Sequence, residues 1–184
     1  MTTFRVESFG PGREDDFAAL HTGDAGAGWC QCVAWWVPTW DGWGDRTAAD
    51  NAALRRDLCL RGEHDGLIAY DRETPVGWCQ LGRRDRLRKL VEQLGVDPDP
   101  SVWAVTCFLV AQSHRRRGVA RALLAASIDH AREAGASRLE GYPRAEAGEP
   151  GEMWTGPRDL FLRAGFHVVG EGTPRSTLSR DLHG

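Results

Sequence analysis

Long apolar runs are missing. Nowhere in the 184 residues is there the stretch of ~20 apolar positions that a membrane-spanning helix needs, so no membrane partner is expected. The opening residues, Met1-Thr2-Thr3-Phe4-Arg5, lack the apolar segment of a secretory leader, and a cytoplasmic location is expected. Internal repeats and low-complexity segments are lacking too, which excludes solenoid and array architectures. An excess of positive charge is missing: a formal net charge of −3 gives no electrostatic reason to expect nucleic acid. A metal-ligand set is also missing. Cys30 and Cys32 are spaced like ligands, but the other cysteines stand singly and no histidine pair accompanies them, so no metal is expected. Five cysteines, an odd number without an export signal, read as reduced thiols.

What is present is ordinary in bulk and unusual in detail. A chain of this length buries a sizeable core, and a single domain over residues 1–184 is expected. Eight tryptophans stand out, and five of them fall at positions 29, 35, 36, 40 and 43 among Gly and Pro. That stretch, residues 23–46, is too irregular for a long helix. Aromatic loops of this kind either plug a core or wall a ligand site.

The remaining pattern alternates strands and helices. Phe4–Phe9 alternates as a strand, and a helix follows over Arg13–Thr22 with Glu14, Asp15 and Asp16 near its positive end. Thr47 suits a cap for a helix over Ala48–Leu60. Gly66–Asp71 and Val76–Leu81 read as a hairpin. Arg83–Leu94 reads as a charged helix whose cationic side is solvated. Toward the end come a strand over Ser137–Pro143, a short helix near 158–164, and a strand pair at His167–Glu171 and Ser176–Asp181.

The chain is organised around residues 101–135. A buried strand, Val102–Val110, runs into a cationic turn, Gln112-Ser113-His114-Arg115-Arg116-Arg117-Gly118, and then an amphipathic helix, Val119–Ala134. Gly118 permits a sharp turn and close approach of a ligand. Val119 and Ala120 are compact enough to leave the first helical turn open. Free amides, the positive helix end and Arg115, Arg116 and Arg117 converge on one place, a ready site for phosphate or pyrophosphate.

Arg115-x-x-Gly118-x-Ala120, between a hydrophobic strand and a helix, resembles the acetyl-CoA pyrophosphate loop of the GNAT superfamily of N-acyltransferases. Asp159-Leu160-Phe161-Leu162-Arg163-Ala164-Gly165-Phe166 resembles the last helix of that fold. The resemblance covers roughly residues 66–182 well and the N-terminal third loosely. It implies an α/β (α+β) fold with a central mixed, mostly antiparallel sheet, helices on both faces, and two parallel strands that splay apart to admit the pantetheine arm. Those strands would be Val102–Val110 and Ser137–Pro143. It implies acetyl-CoA as cofactor, with pantetheine and thioester contacts at Leu109 and Val110 and pyrophosphate contacts at the Arg115–Ala120 loop. It also places the tryptophan stretch over the acceptor side of the cleft. Trp35, Trp36, Trp40, Asp41, Trp43 and Asp45, with Glu152 and its neighbours Glu146 and Glu149, are therefore expected to bind a small-molecule amine.

The sequence departs from the family in its proton-transfer groups. Many members carry a glutamate on the central strand, and here that strand has no carboxylate. Many carry a tyrosine where this chain has Phe161. Glu140 as base and Tyr142 as acid, on one side of the facing strand, are the expected replacements; His114 is a second candidate base. General acid–base groups contribute about 10²–10⁴-fold, so positioning of an already neutral amine could also suffice. The implied reaction is acetyl transfer to a primary amine by direct attack in a ternary complex. In its length and its tryptophan-rich loop the chain resembles aminoglycoside N-acetyltransferases, the kasugamycin 2′-N-acetyltransferase type among them, which implies an aminoglycoside antibiotic as acceptor and resistance by N-acetylation. The alternatives are a protein or peptide N-acetyltransferase and an inactive CoA-binding module. A homodimer is a further possibility that the family leaves open.

Overall fold

The computed structural model describes residues 3–22, 28–144, 153–172 and 175–183. Seven strands form one sheet: β1 (Arg5–Ser8), β2 (Gly66–Asp71), β3 (Thr74–Arg83), β4 (Val102–Val110), β5 (Arg138–Gly141), β6 (His167–Gly170) and β7 (Thr177–Asp181). Their order is β1-β2-β3-β4-β5-β7-β6, antiparallel throughout except for the parallel pair β4–β5. The helices are α1 (Glu14–Thr22), α2 (Ala48–Leu60), α3 (Arg88–Leu94), α4 (Val119–Glu133) and α5 (Arg158–Arg163).

Side-chain alternation sends the sheet's two faces to different partners. Leu67, Cys79, Leu81, Val105 and Leu139 meet Leu123, Leu124 and Ile128 of α4 and Phe161 of α5. On the other face Ile68, Tyr70 and Trp78 cover Phe17 and Leu20 of α1. Ala104 and Tyr142 lie against Leu87 and Leu90 beside α3.

Two irregularities shape the middle of the sheet. Gln80 pairs with Cys107 but Leu81 pairs with Val105, so Thr106 is an extra residue in β4. This bulge reverses the alternation of everything after it. Trp103, Val105 and Phe108 consequently share the α4 face, while Cys107 and Leu109 turn to the α1 face. Secondly, β4 and β5 pair only from Val102↔Arg138 to Val105↔Gly141, and β4 runs on alone to Val110. The splay expected between these strands is present.

The charged segment after β3 differs from expectation. β3 continues to Arg83, a 3₁₀ turn occupies Arg84–Arg86, and the helix begins only at Arg88. Its cations are not all solvated: Arg84 and Lys89 are buried, the first against Glu140 and the second beneath Trp40. Among the described residues no helix is long and apolar enough to cross a membrane.

Where β4 and β5 part, Gly141 is closed over by Phe161. A Cβ at Gly141 would stand 2.2 Å from the Phe161 ring, which is fully buried. Gly141→Ala is therefore expected to destabilise the protein by about 1–3 kcal/mol through overpacking. Urea denaturation of the variant beside the parent checks this.

Candidate active site

The turn before α4 has the geometry its sequence suggests. After a 3₁₀ turn over Gln112–His114, Arg116 (φ 60°) and Gly118 (φ 94°) are left-handed, and α4 starts with no side-chain cap on its first amides. Those amides therefore remain free to bind an anion. His114, the second candidate base, is tied down: Nε2 is 3.1 Å from Asp71 Oδ2 and Nδ1 is 2.9 Å from Ser113 Oγ. Arg117 also turns toward Asp71, at 4.0 Å. Arg115, Arg116 and Ala120 face a cleft of about 760 Å³, whereas the Val119 side chain is buried in the core.

The cleft continues past the open edge of β4. Leu109 and Val110 both line it, but their amides point differently. Ala111 N–H donates to Val76 O at 3.0 Å, and with Val110 opposite Gly77 this turns the Val110 amide away from β3, into the splay. The Leu109 amide, one residue back, faces β3. Phe108 N–H also faces the splay and is already taken by Trp154 O at 2.6 Å. Val110 thus offers the open donor on this edge.

The far wall is aromatic. Trp29, Trp43, Trp40, Trp35 and Trp154 form a chain of rings with successive centroids 4.9, 6.1, 6.0 and 5.7 Å apart, and all five line the cleft. The loop that carries four of them is held from outside by polar contacts. Asn51 of α2 donates to Trp29 O at 2.8 Å, and Arg55 Nε to Gln31 Oε1 at 3.2 Å. The capping box of Thr47 and Asp50 fixes the start of α2 and so the position of both donors. Lys89 Nζ lies 3.5 Å from the Trp40 ring centroid and donates to Thr39 O at 2.5 Å.

Several expected residues stand elsewhere. Trp36 turns away from the cleft and packs on His64, ring centroids 5.2 Å apart. Asp41 and Asp45 are exposed and outside the lining. Glu146, Glu149 and Glu152 lie outside the described residues. Glu140 and Tyr142 do come together, but they bind each other: Tyr142 donates its hydroxyl proton to Glu140 at 2.7 Å. Arg84 and Arg138 occupy the same carboxylate at 3.0 and 3.2 Å. Burial, then the Glu140 charge, pushes the Tyr142 phenol well above its usual pKa. Glu140 opens instead onto a separate hollow beside α3 and the β6–β7 hairpin. Among the described residues the cleft lining carries no carboxylate.

Sequence reading passed over Trp29, Trp154, Gln80, Cys107 and Lys89. Trp29 belonged to the same aromatic stretch and could have been included. The others carry no local signal, since a bulge and a long-range stack bring them in.

The family model for the acetyltransferase (GNAT) family matches residues 29–146. No curated protein matches the sequence. Solved structures share the fold at low identity. A GCN5-related N-acetyltransferase from Kribbella flavida is 19% identical, with TM-score 0.61 over 97% of this chain and 98% of that one. YncA from Salmonella typhimurium, a putative acetyltransferase solved with its cofactor acetyl-CoA, is 16% identical, with TM-score 0.52 over 96% and 94%. The PaiA N-acetyltransferase of Thermoplasma acidophilum, solved with coenzyme A, is 10% identical, with TM-score 0.52 over 96% and 99%.

One buried group behind the cleft gives a stability prediction. His64 donates to Cys32 O at 3.3 Å, and burial lowers its pKa from 6.5 to about 3. The folded protein thus refuses a proton that the unfolded chain accepts. Stability is unaffected above pH 6.5 and falls between pH 6.5 and about 3, toward a limiting slope of ~1.4 kcal/mol per pH unit. Urea titrations at pH 7, 5.5 and 4.5 should show this loss, and a smaller one in His64→Gln.

Proposed function

The chain belongs to the acetyltransferase (GNAT) family, and on that footing we propose that it acetylates a primary amine of a small molecule whose body lies on the tryptophan wall. Acetyl-CoA is its co-substrate. One observation carries the reading: a single cleft joins the uncapped end of α4 to five tryptophan rings by way of the open edge of β4. The residues suit a CoA thioester. The α4 amides, Arg115 and Arg116 hold the pyrophosphate, and the splay beside Val110 takes the pantetheine arm. The Val110 amide faces the developing oxyanion. The bound thioester supplies the activated acetyl group, and the wall orients the amine for direct attack in a ternary complex.

Proton handling falls to the acceptor and to water. Glu140 and Tyr142, proposed as base and acid from sequence, are engaged with Arg84, Arg138 and each other, which supports a structural role beneath Trp35. The amine therefore has to reach the thioester already neutral, and kcat/KM should rise with pH along the acceptor's own ionisation. Glu140→Gln should leave that profile in place while lowering stability, as removal of one member of a buried ion pair does.

The acceptor class follows from the wall. Stacking favours amines with a flat or apolar body. Amino sugars meet the rings through their C–H faces, so aminoglycosides belong in the test. Their several ammonium groups would find no carboxylate among the described lining residues, which favours monoamines over them. The test is CoA release with arylalkylamines, aminoglycosides, polyamines and peptides. Turnover of monoamines is expected, with Arg116→Ala raising KM for acetyl-CoA about tenfold and Trp40→Ala raising KM for the amine about tenfold. Asp41→Asn and Asp45→Asn should change neither. Turnover of peptides alone would favour a protein acetyltransferase, and CoA binding without turnover an inactive module.

A further inference from the structure

Acetyl transfer leaves one cluster unused. Cys32 Sγ lies 3.7 Å from Cys107 Sγ and 3.2 Å from His21 Nε2. The three come from the tryptophan loop, β4 and the last turn of α1, and both thiols line the cleft. The bulge at Thr106 is what brings Cys107 there; with regular alternation it would face α4.

Cys32 is held at some cost. Gln31 (φ 50°) and Cys32 (φ 53°) are consecutive left-handed residues without glycine. Their surroundings over-determine them: Cys32 O accepts from both Gln80 Nε2 at 3.0 Å and His64 Nε2 at 3.3 Å, and Gln31 bridges Gly28 O and Arg55. Backbone strain of this kind fixes where the sulfur points.

The histidine is oriented as a base. Its Nδ1 is 2.8 Å from Phe17 O, which can only accept, so the neutral ring carries its proton there. Nε2 is left bare 3.2 Å from Cys32 Sγ, placed to take its proton. The ring also stacks on Phe17 at 3.7 Å. Nucleophile, base and orienting carbonyl are thus in line. The contact with Cys107 and burial hold the Cys32 thiol above its ordinary pKa, so it is protonated at rest. Among the described residues no group of three or more His, Cys, Asp or Glu is arranged to hold a metal ion, so the cluster is a thiol pair with a base.

We propose that Cys32 and Cys107 are an oxidisable pair that closes to a disulfide when a hydroperoxide enters the cleft. Cys107, half-buried and facing the opening, reacts first. Its sulfur takes one peroxide oxygen as the O–O bond breaks, giving a sulfenic acid and one water from hydrogen peroxide. The Cys32 sulfur then attacks the Cys107 sulfur and breaks its S–O bond. The Cys32 proton passes to His21 Nε2 and on to the departing hydroxide, which leaves as a second water. Two thiols are oxidised and one peroxide is reduced. The bond joins positions 75 residues apart and ties the tryptophan loop to the central strand.

The test treats the purified protein with hydrogen peroxide, quenches it, caps the remaining thiols and measures mass before and after digestion. The expected result is two thiols lost to capping, an uncapped mass lower by about 2 Da, and a Cys32–Cys107 cross-linked peptide that dithiothreitol reverses. Cys30 shares the tryptic peptide of Cys32, so variants assign the bond: Cys30→Ser keeps the cross-link, and Cys32→Ser and Cys107→Ser lose it. Capping of all five thiols after treatment, a persistent sulfenic acid, or a cross-link that follows Cys30, Cys59 or Cys79 would overturn the proposal. The readout is mass, so it stands apart from whether any amine is acetylated.

Discussion

Parallel pairing between β4 and β5 lasts four residues, and the working half of the molecule depends on its ending there. Beyond Val105 and Gly141 the central strand has no neighbour on one side. Its amides must still be satisfied or reach a ligand. The Trp154 carbonyl takes Phe108, and the Val110 amide faces the gap. Phe161 fills the space a Cβ at Gly141 would need and caps the gap from the α4 side. The position where many relatives carry a tyrosine is thus a packing position here.

A second constraint is the bulge at Thr106. One extra residue turns Phe108 toward α4 and Cys107 and Leu109 toward the tryptophan loop, so the strand serves the core before the bulge and the cleft after it. The loop has little regular structure of its own. Its shape comes from Asn51 and Arg55 on α2, His64 and Gln80 on Cys32 O, and Lys89 under Trp40.

Much of this was legible in the sequence where chemistry is local. The strand, basic turn and helix over residues 102–133 follow from periodicity and one glycine, and the cap of α2 from Thr47. The tryptophan stretch could be seen as a wall, although which rings face inward could not: Trp35 stacks with Trp40 and Trp154 along the cleft, while its neighbour Trp36 packs on His64. Glu140 and Tyr142 share a strand face, as alternation requires, but Arg84 arrives from a turn 56 residues away. Long-range ion pairs and single-residue bulges leave no periodic trace. Arg84 and Lys89, which read as a solvated cationic face, were buried by partners distant in the chain.

Lys89 is the sole lysine among 184 residues, while the other cations are arginines. It is 3% exposed, with its ammonium covered by Trp40 and bonded to Thr39 O. A catalyst that forms amides from free amines thus offers its own acyl donor no accessible side-chain amine. Its positive surface charge is carried by guanidinium groups, which stay protonated and do not compete with the acceptor. Acylation of its own lysines, a standing hazard for a lysine-rich protein that handles thioesters, has no exposed target here.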